Sequence, residues 1–173
     1  MNSFLLSLFL TITVAFTVAQ AQSEKSASKS IKLDAIKVTE PMIAVNPTDP
    51  NNFIAVYSNW HYSDSRKPAS SRTTDGSISW TSTEVPDNLL TGIDQADPTI
   101  SFDSNGNAYY CFLDLGNLNH VIVSKSTNKG ATWSSSYRAY DDQNPLTGFP
   151  VPDKPWITVD CSNGPYSNTI YVV

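Results

Sequence analysis

Three stretches hold most of the side chains that could do chemistry. Asn59-Trp60-His61-Tyr62-Ser63-Asp64-Ser65-Arg66-Lys67 mixes aromatic rings with an amide, hydroxyls, carboxylate and cations. Sugar-binding sites use this mixture, with rings covering the apolar faces and polar groups taking the hydroxyls. Asp94-Gln95-Ala96-Asp97 has counterparts in Asp153-Lys154 and in Glu40, and the third stretch runs from Asp114 to His120. From these stretches the candidate substrate-binding residues are Trp60, His61, Arg66, Asp97, Asp153 and Lys154. Two uses fit such groups: lining a glycan pocket, or capping strand ends and facing solvent. No Ser/His/Asp or Cys/His set can be assembled. His61 and His120 lack carboxylates at a fixed spacing, so neither metal nor cofactor is expected. Asp103-Ser104-Asn105-Gly106-Asn107, with Asp114 further on, faintly echoes a calcium loop. Its glycine is misplaced, and a hairpin turn is the expectation.

The elements that must position these residues repeat. Pro41-Met42-Ile43-Ala44-Val45-Asn46 is echoed by Pro98-Thr99-Ile100-Ser101-Phe102-Asp103 and by Pro155-Trp156-Ile157-Thr158-Val159-Asp160, a constant step of 57 residues. In each copy two apolar residues stand two apart, the period of a strand. A polar turn and a second strand follow: Phe53 to Tyr57, Ala108 to Leu113, Thr169 to Val173. The second unit adds a third strand, Val121 to Ser126, and a fourth from Trp133 to about Tyr140. No segment carries a helical period. If the first strand of each unit starts at a top face, the stretches before it and between the second and third strands share that face.

Two tight turns punctuate the repeat. Ser126-Thr127-Asn128-Lys129-Gly130-Ala131-Thr132-Trp133 reads Ser-x-Asn-x-Gly-x-Thr-Trp, and Thr73-Thr74-Asp75-Gly76-Ser77-Ile78-Ser79-Trp80 is a looser copy. A short Asp or Asn side chain accepts bonds from turn amides, Gly supplies the positive φ, and Trp anchors the hairpin. In the first copy Ser77 replaces the usual glycine, so Gly76 is expected to take the strained angle.

These turns resemble the Asp box of sialidase-like β-propellers. Thr73, Asp75, Trp80, Ser126, Asn128, Gly130 and Trp133 are its structural residues here. The resemblance implies an all-β propeller of four-stranded antiparallel blades over residues 38–173, with units starting near 41, 98 and 155. Two blades and half of a third are present, so the chain is expected to be the N-terminal part of a longer protein. The resemblance also implies a glycoside hydrolase of exo-sialidase type acting on extracellular glycans. The alternative is a non-catalytic propeller that binds glycans or proteins at a cell surface. Asp64, 11 residues before Asp75, matches the place of the family's general acid. The arginines that clamp a substrate carboxylate would fall at Thr39 and near Ser58, and both are missing. The family's Tyr nucleophile and its Glu partner would lie beyond Val173.

Composition sets the surroundings. The 173-residue chain carries a net charge of −5 and no basic cluster, which argues against nucleic acid or an anionic membrane as partner. Phe4 to Val18 is a short apolar run followed by Ala19-Gln20-Ala21, so residues 1–21 read as a secretory signal. The run falls short of the roughly 20 apolar residues that span a bilayer. Residues 22–37 are a polar lead-in, and Ile31 to Val38 is a candidate closing strand. The expected setting is extracellular or at the cell surface, with a glycan or glycoprotein as partner. Secretion would permit a disulfide between Cys111 and Cys161. Cys111 sits in an apolar strand, where a buried free thiol is the simpler reading.

Overall fold

Every described element is a strand, and eight of the ten build two copies of one meander. A computed structural model describes residues 38–60, 66–85, 94–115, 120–141 and 152–173. The chain divides into Met1–Ile31 and Lys32–Val173, and all described residues belong to the second unit. The signal segment, the lead-in 22–37, His61 and Asp64 lie outside the described residues.

The first sheet is β1 (Val38–Val45), β2 (Phe53–Trp60), β3 (Arg66–Thr73) and β4 (Thr81–Glu84), in that order. The second repeats it with β5 (Asp94–Phe102), β6 (Ala108–Leu115), β7 (His120–Ser126) and β8 (Tyr137–Asp141). β9 (Ile157–Val159) and β10 (Ile170–Val172) form a third hairpin, and all pairings are antiparallel. The registers are equivalent: Val45 pairs with Phe53, Phe102 with Ala108, and Val159 with Ile170. β5 lies against β1, β2 and β3, and β9 lies against β5 and β6.

Alternation along the strands gives two apolar seams. Ile54 and Val56 of β2 meet Ile100, Phe102, Tyr110 and Phe112 of the second sheet, with Trp133 in the same cluster. Tyr109, Cys111, Leu113 and Val121 meet Ile157 and Val159. The burial of Cys111 pushes its thiol up to about 12. Cys161 is exposed, and both cysteines are free.

The two box-like turns share one end with the turn after β1. Thr73 Oγ1 donates to Asp75 Oδ1 at 2.7 Å, and Asp75 accepts from the Ile78 and Ser79 amides. In the second turn, Ser126 Oγ donates to Asn128 Oδ1 at 3.0 Å, and Asn128 Oδ1 accepts from the Thr132 amide at 2.9 Å. The Asp75 carboxyl is held well below its ordinary range by its bonds to Ser79 and Thr73. Asn52, buried in the turn after β1, donates to the carbonyls of Thr73 and Lys129, and Lys129 Nζ reaches Asp49 at 2.7 Å. One amide side chain thus ties both box turns to the turn between β1 and β2.

Three expectations need correction. Gly76 does take a positive φ of 69°, but Ser77 takes one of 70° as well, just as Lys129 (61°) and Gly130 (78°) do in the other turn. The turn needs two consecutive left-handed residues, and each copy supplies one glycine. The stretch from Asn59 to Lys67 is not all loop. Asn59 pairs with Lys67 and Trp60 with Arg66, so the strands run further than their apolar pattern. Finally, β8 begins at Tyr137 rather than Trp133, because Trp133 leaves the sheet edge to pack in the seam.

Candidate functional site

At the opposite end, the starts of β1 and β5 and the segment leading into β9 share an unusual backbone. Glu40, Asp97 and Lys154 each precede a proline and adopt φ of 55°, 52° and 54°. A residue with a Cβ avoids this region, and a following proline restricts it further, so the repetition marks a built feature. The ladder is broken there by register shifts between Thr39 and Met42 and between Ala96 and Thr99. Such bulges re-aim side chains at the end of a strand.

Here the re-aimed side chains link consecutive units. Glu40 Oε2 accepts the Asp97 amide at 3.0 Å, and Asp97 Oδ1 accepts Lys154 Nζ at 2.7 Å. Ser58 Oγ, buried in β2, is within 3.2 Å of Glu40 Oε2 and 3.3 Å of the Gln95 carbonyl. Asp97, with its chain neighbours, raises the Lys154 ammonium above its ordinary value.

Arg66, at the start of β3, grips Asp94, at the start of β5, with a planar fork. Nε lies 2.7 Å from Oδ1 and Nη2 2.6 Å from Oδ2, and the Arg66 amide also donates to Oδ1 at 3.0 Å. Nη1 stands 3.6 Å from Glu40 Oε1. A bidentate pair of this kind is among the stronger polar contacts between protein groups. The fork holds the Asp94 carboxyl below its ordinary range and raises Arg66. Because the folded carboxyl titrates below its unfolded counterpart, its contribution is complete above the unfolded value, near pH 4. It is lost as pH falls through the folded value. Below pH 4 the wild type should therefore lose stability more steeply than Asp94→Asn, as read from urea midpoints at pH 7 and pH 3. Equal losses in both proteins would contradict the pairing.

Behind this clamp Gln95 Nε2 donates to Asp114 Oδ1 at 2.9 Å. Asp114 pairs with Gln95 and with His120 across adjacent strands, and all three are buried. Asp103 sits at the far end of the same sheet, where its carboxylate accepts from the Asn105 and Asn107 amides, Asn107 Nδ2 and the Tyr109 hydroxyl. Asp103 and Asp114 therefore do not come together. Among the described residues no group of three or more His, Cys, Asp or Glu side chains is placed to hold a metal ion.

The three equivalent segments surround one open cleft of about 240 Å³, lined by Glu40 to Met42, Asp97 to Thr99 and Lys154 to Trp156. Carboxylates and an ammonium stand beside prolines and the half-exposed indole of Trp156. Of the sequence candidates, Asp97 and Lys154 come together here. Arg66 is committed to Asp94, Trp60 lies opposite it in β2, and Asp153 lines a separate apolar groove of about 480 Å³ beside Val172 and Val173. Trp156 and Ser58 were not among the candidates. Trp156 was legible from its place in the third Pro-x-Ile copy, whereas nothing in the sequence marks Ser58 as buried.

No protein-family model matches the sequence, and no significant relative is found among curated proteins. No helix among the described residues is long and apolar enough to cross a membrane.

Proposed function

We propose that the sheets are consecutive blades of a secreted sialidase-like β-propeller, and that the end carrying Glu40, Asp97 and Lys154 takes an extracellular glycan. The observation behind this reading is the convergence of three equivalent segments, one per unit, on a single cleft with an exposed indole. A ring of such units brings every first strand to one axis, which is where a propeller gathers its ligand groups. The box-like turns at the other end hold the units together and leave that end without a comparable cleft among the described residues. The resemblance argues for a glycoside hydrolase of sialidase type with Asp64 as its acid. A binding protein without catalysis is the second reading. It is favoured by the bidentate commitment of Arg66 to Asp94, which takes its fork away from a substrate carboxylate.

The test uses the secreted chain on a panel of sialylated and neutral glycans, followed by titration of the best ligand and an assay on a fluorogenic sialoside. Trp156→Ala should weaken glycan binding by about tenfold, the equivalent of ~1.4 kcal/mol. Turnover that Asp64→Asn abolishes would establish the hydrolase. Binding without turnover would establish the binding protein. A chain that retains no glycan, or that binds equally well without Trp156, would refute the site.

A further inference from the structure

Each seam between units has two halves, and the outermost copy of each half is exposed on this chain. The half turned toward the preceding sheet consists of Ile100 and Phe102 in β5 and of Ile157 and Val159 before β10, all between 2% and 6% exposed. Their counterparts in β1, by the register that aligns Val45 with Phe102 and Val159, are Ile43 and Val45. These are 55% and 54% exposed. The half turned toward the following sheet consists of Ile54 and Val56 in β2 and of Tyr109 and Cys111 in β6. Its counterparts in the last hairpin are Tyr171 and Val173, which are 45% and 86% exposed, and Trp156 lies beside them.

We infer that these two faces dock on each other between copies of this chain, head to tail, repeating the seam the chain already forms twice within itself. Charge supports the match. Successive units touch through the residue before the proline, from Glu40 to Asp97 and from Asp97 to Lys154. In a head-to-tail contact the next pair at that position is Lys154 of one copy and Glu40 of the other, an ammonium against a carboxylate. The apolar surface on each side is of the kind that drives association. Because the two faces differ, the contact is heterologous, and it produces a ring where the rotation closes and a filament where it does not. The inference rests on the repeat geometry and not on the glycan.

Sedimentation or light scattering of the secreted chain over a hundredfold concentration range should show mass rising from one chain to two or more. Val45→Lys blocks one face and Tyr171→Lys the other. Both positions are exposed, and an unchanged strand spectrum and melting curve would verify that each variant folds. Each variant alone should remain at monomer mass. Mixed, they should form a 1:1 dimer that grows no further, since each retains the face the other lacks. A wild type that stays monomeric throughout would overturn the inference, as would variants that still self-associate or a mixture that stays at monomer mass.

Discussion

Trp133→Ala should cost about 3–5 kcal/mol of unfolding free energy, the range for deleting a large buried aromatic side chain. The indole lies 7% exposed in the seam between the two sheets, with its ring 5.6 Å from that of Tyr110 at a steep angle. Its Nε1 donates to Ser70 Oγ of the first sheet at 3.0 Å. Removal opens a cavity at the one place where the second unit's turn reaches into the first unit. Ser70 is not orphaned by the change, because its hydroxyl also meets the carbonyl and hydroxyl of Thr83. The cost is therefore one of packing, and Trp133→Phe should recover most of it. About 1 kcal/mol should stay lost with the hydrogen bond. The equivalent change at Trp80, which is only half-buried, should cost less. Urea unfolding of the three variants gives the comparison. Equal costs at Trp133 and Trp80 would show that the seam does not depend on the wedge.

Gly130→Ala should cost about 2–4 kcal/mol from two sources that can be separated. At φ 78° an added Cβ meets its own backbone, a strain of about 1–2 kcal/mol. It would also stand 2.7 Å from Ile54 Cδ1 and 3.1 Å from Ile54 Cγ1, inside the neighbouring sheet's buried face. Ile54→Val removes the Cδ1 atom, so the double variant should recover the steric part and leave the strain. A double-mutant cycle reads this as a coupling of about 1 kcal/mol or more. Additive costs would place the two residues out of contact.

The strands with alternating apolar residues were legible in the sequence, as were the box-like turns and the repeat of 57. What stayed hidden follows from one fact: much of the interior of these sheets is hydroxyl-lined. β3 reads Arg-Lys-Pro-Ala-Ser-Ser-Arg-Thr and shows no apolar period, yet Ser70, Ser71 and Thr73 are buried. They are satisfied by short side-chain bonds such as Ser71 with Tyr57 and Ser70 with Thr83, which no hydropathy pattern reports. At the candidate site the residue types were noticed and their partners were not. Arg66 reads as a free cation in a polar stretch until β3 and β5 start side by side, because its partner is 28 residues away. Ser77 was misjudged for a local reason. A turn that needs two left-handed residues hides the second one when only the glycine announces itself.

The strained residues before Pro41, Pro98 and Pro155 bear on how the chain avoids sticking to itself while it folds. β1 and β5 are each the first strand of their sheet, so each presents an unpaired edge of amides and carbonyls close to the next unit's edge. Two such edges running past one another could join into a single continuous ladder, within one molecule or between molecules. Proline has no amide to offer, and the bulge just before it bends the edge away from a straight partner. The same short motif that carries Glu40, Asp97 and Lys154 to the cleft therefore interrupts each inner edge at its start. A variant that straightens it, such as Pro98→Val with Asp97→Gly, would give the nascent sheets an edge capable of annealing, and the damage would appear as aggregates rather than as a weaker native state.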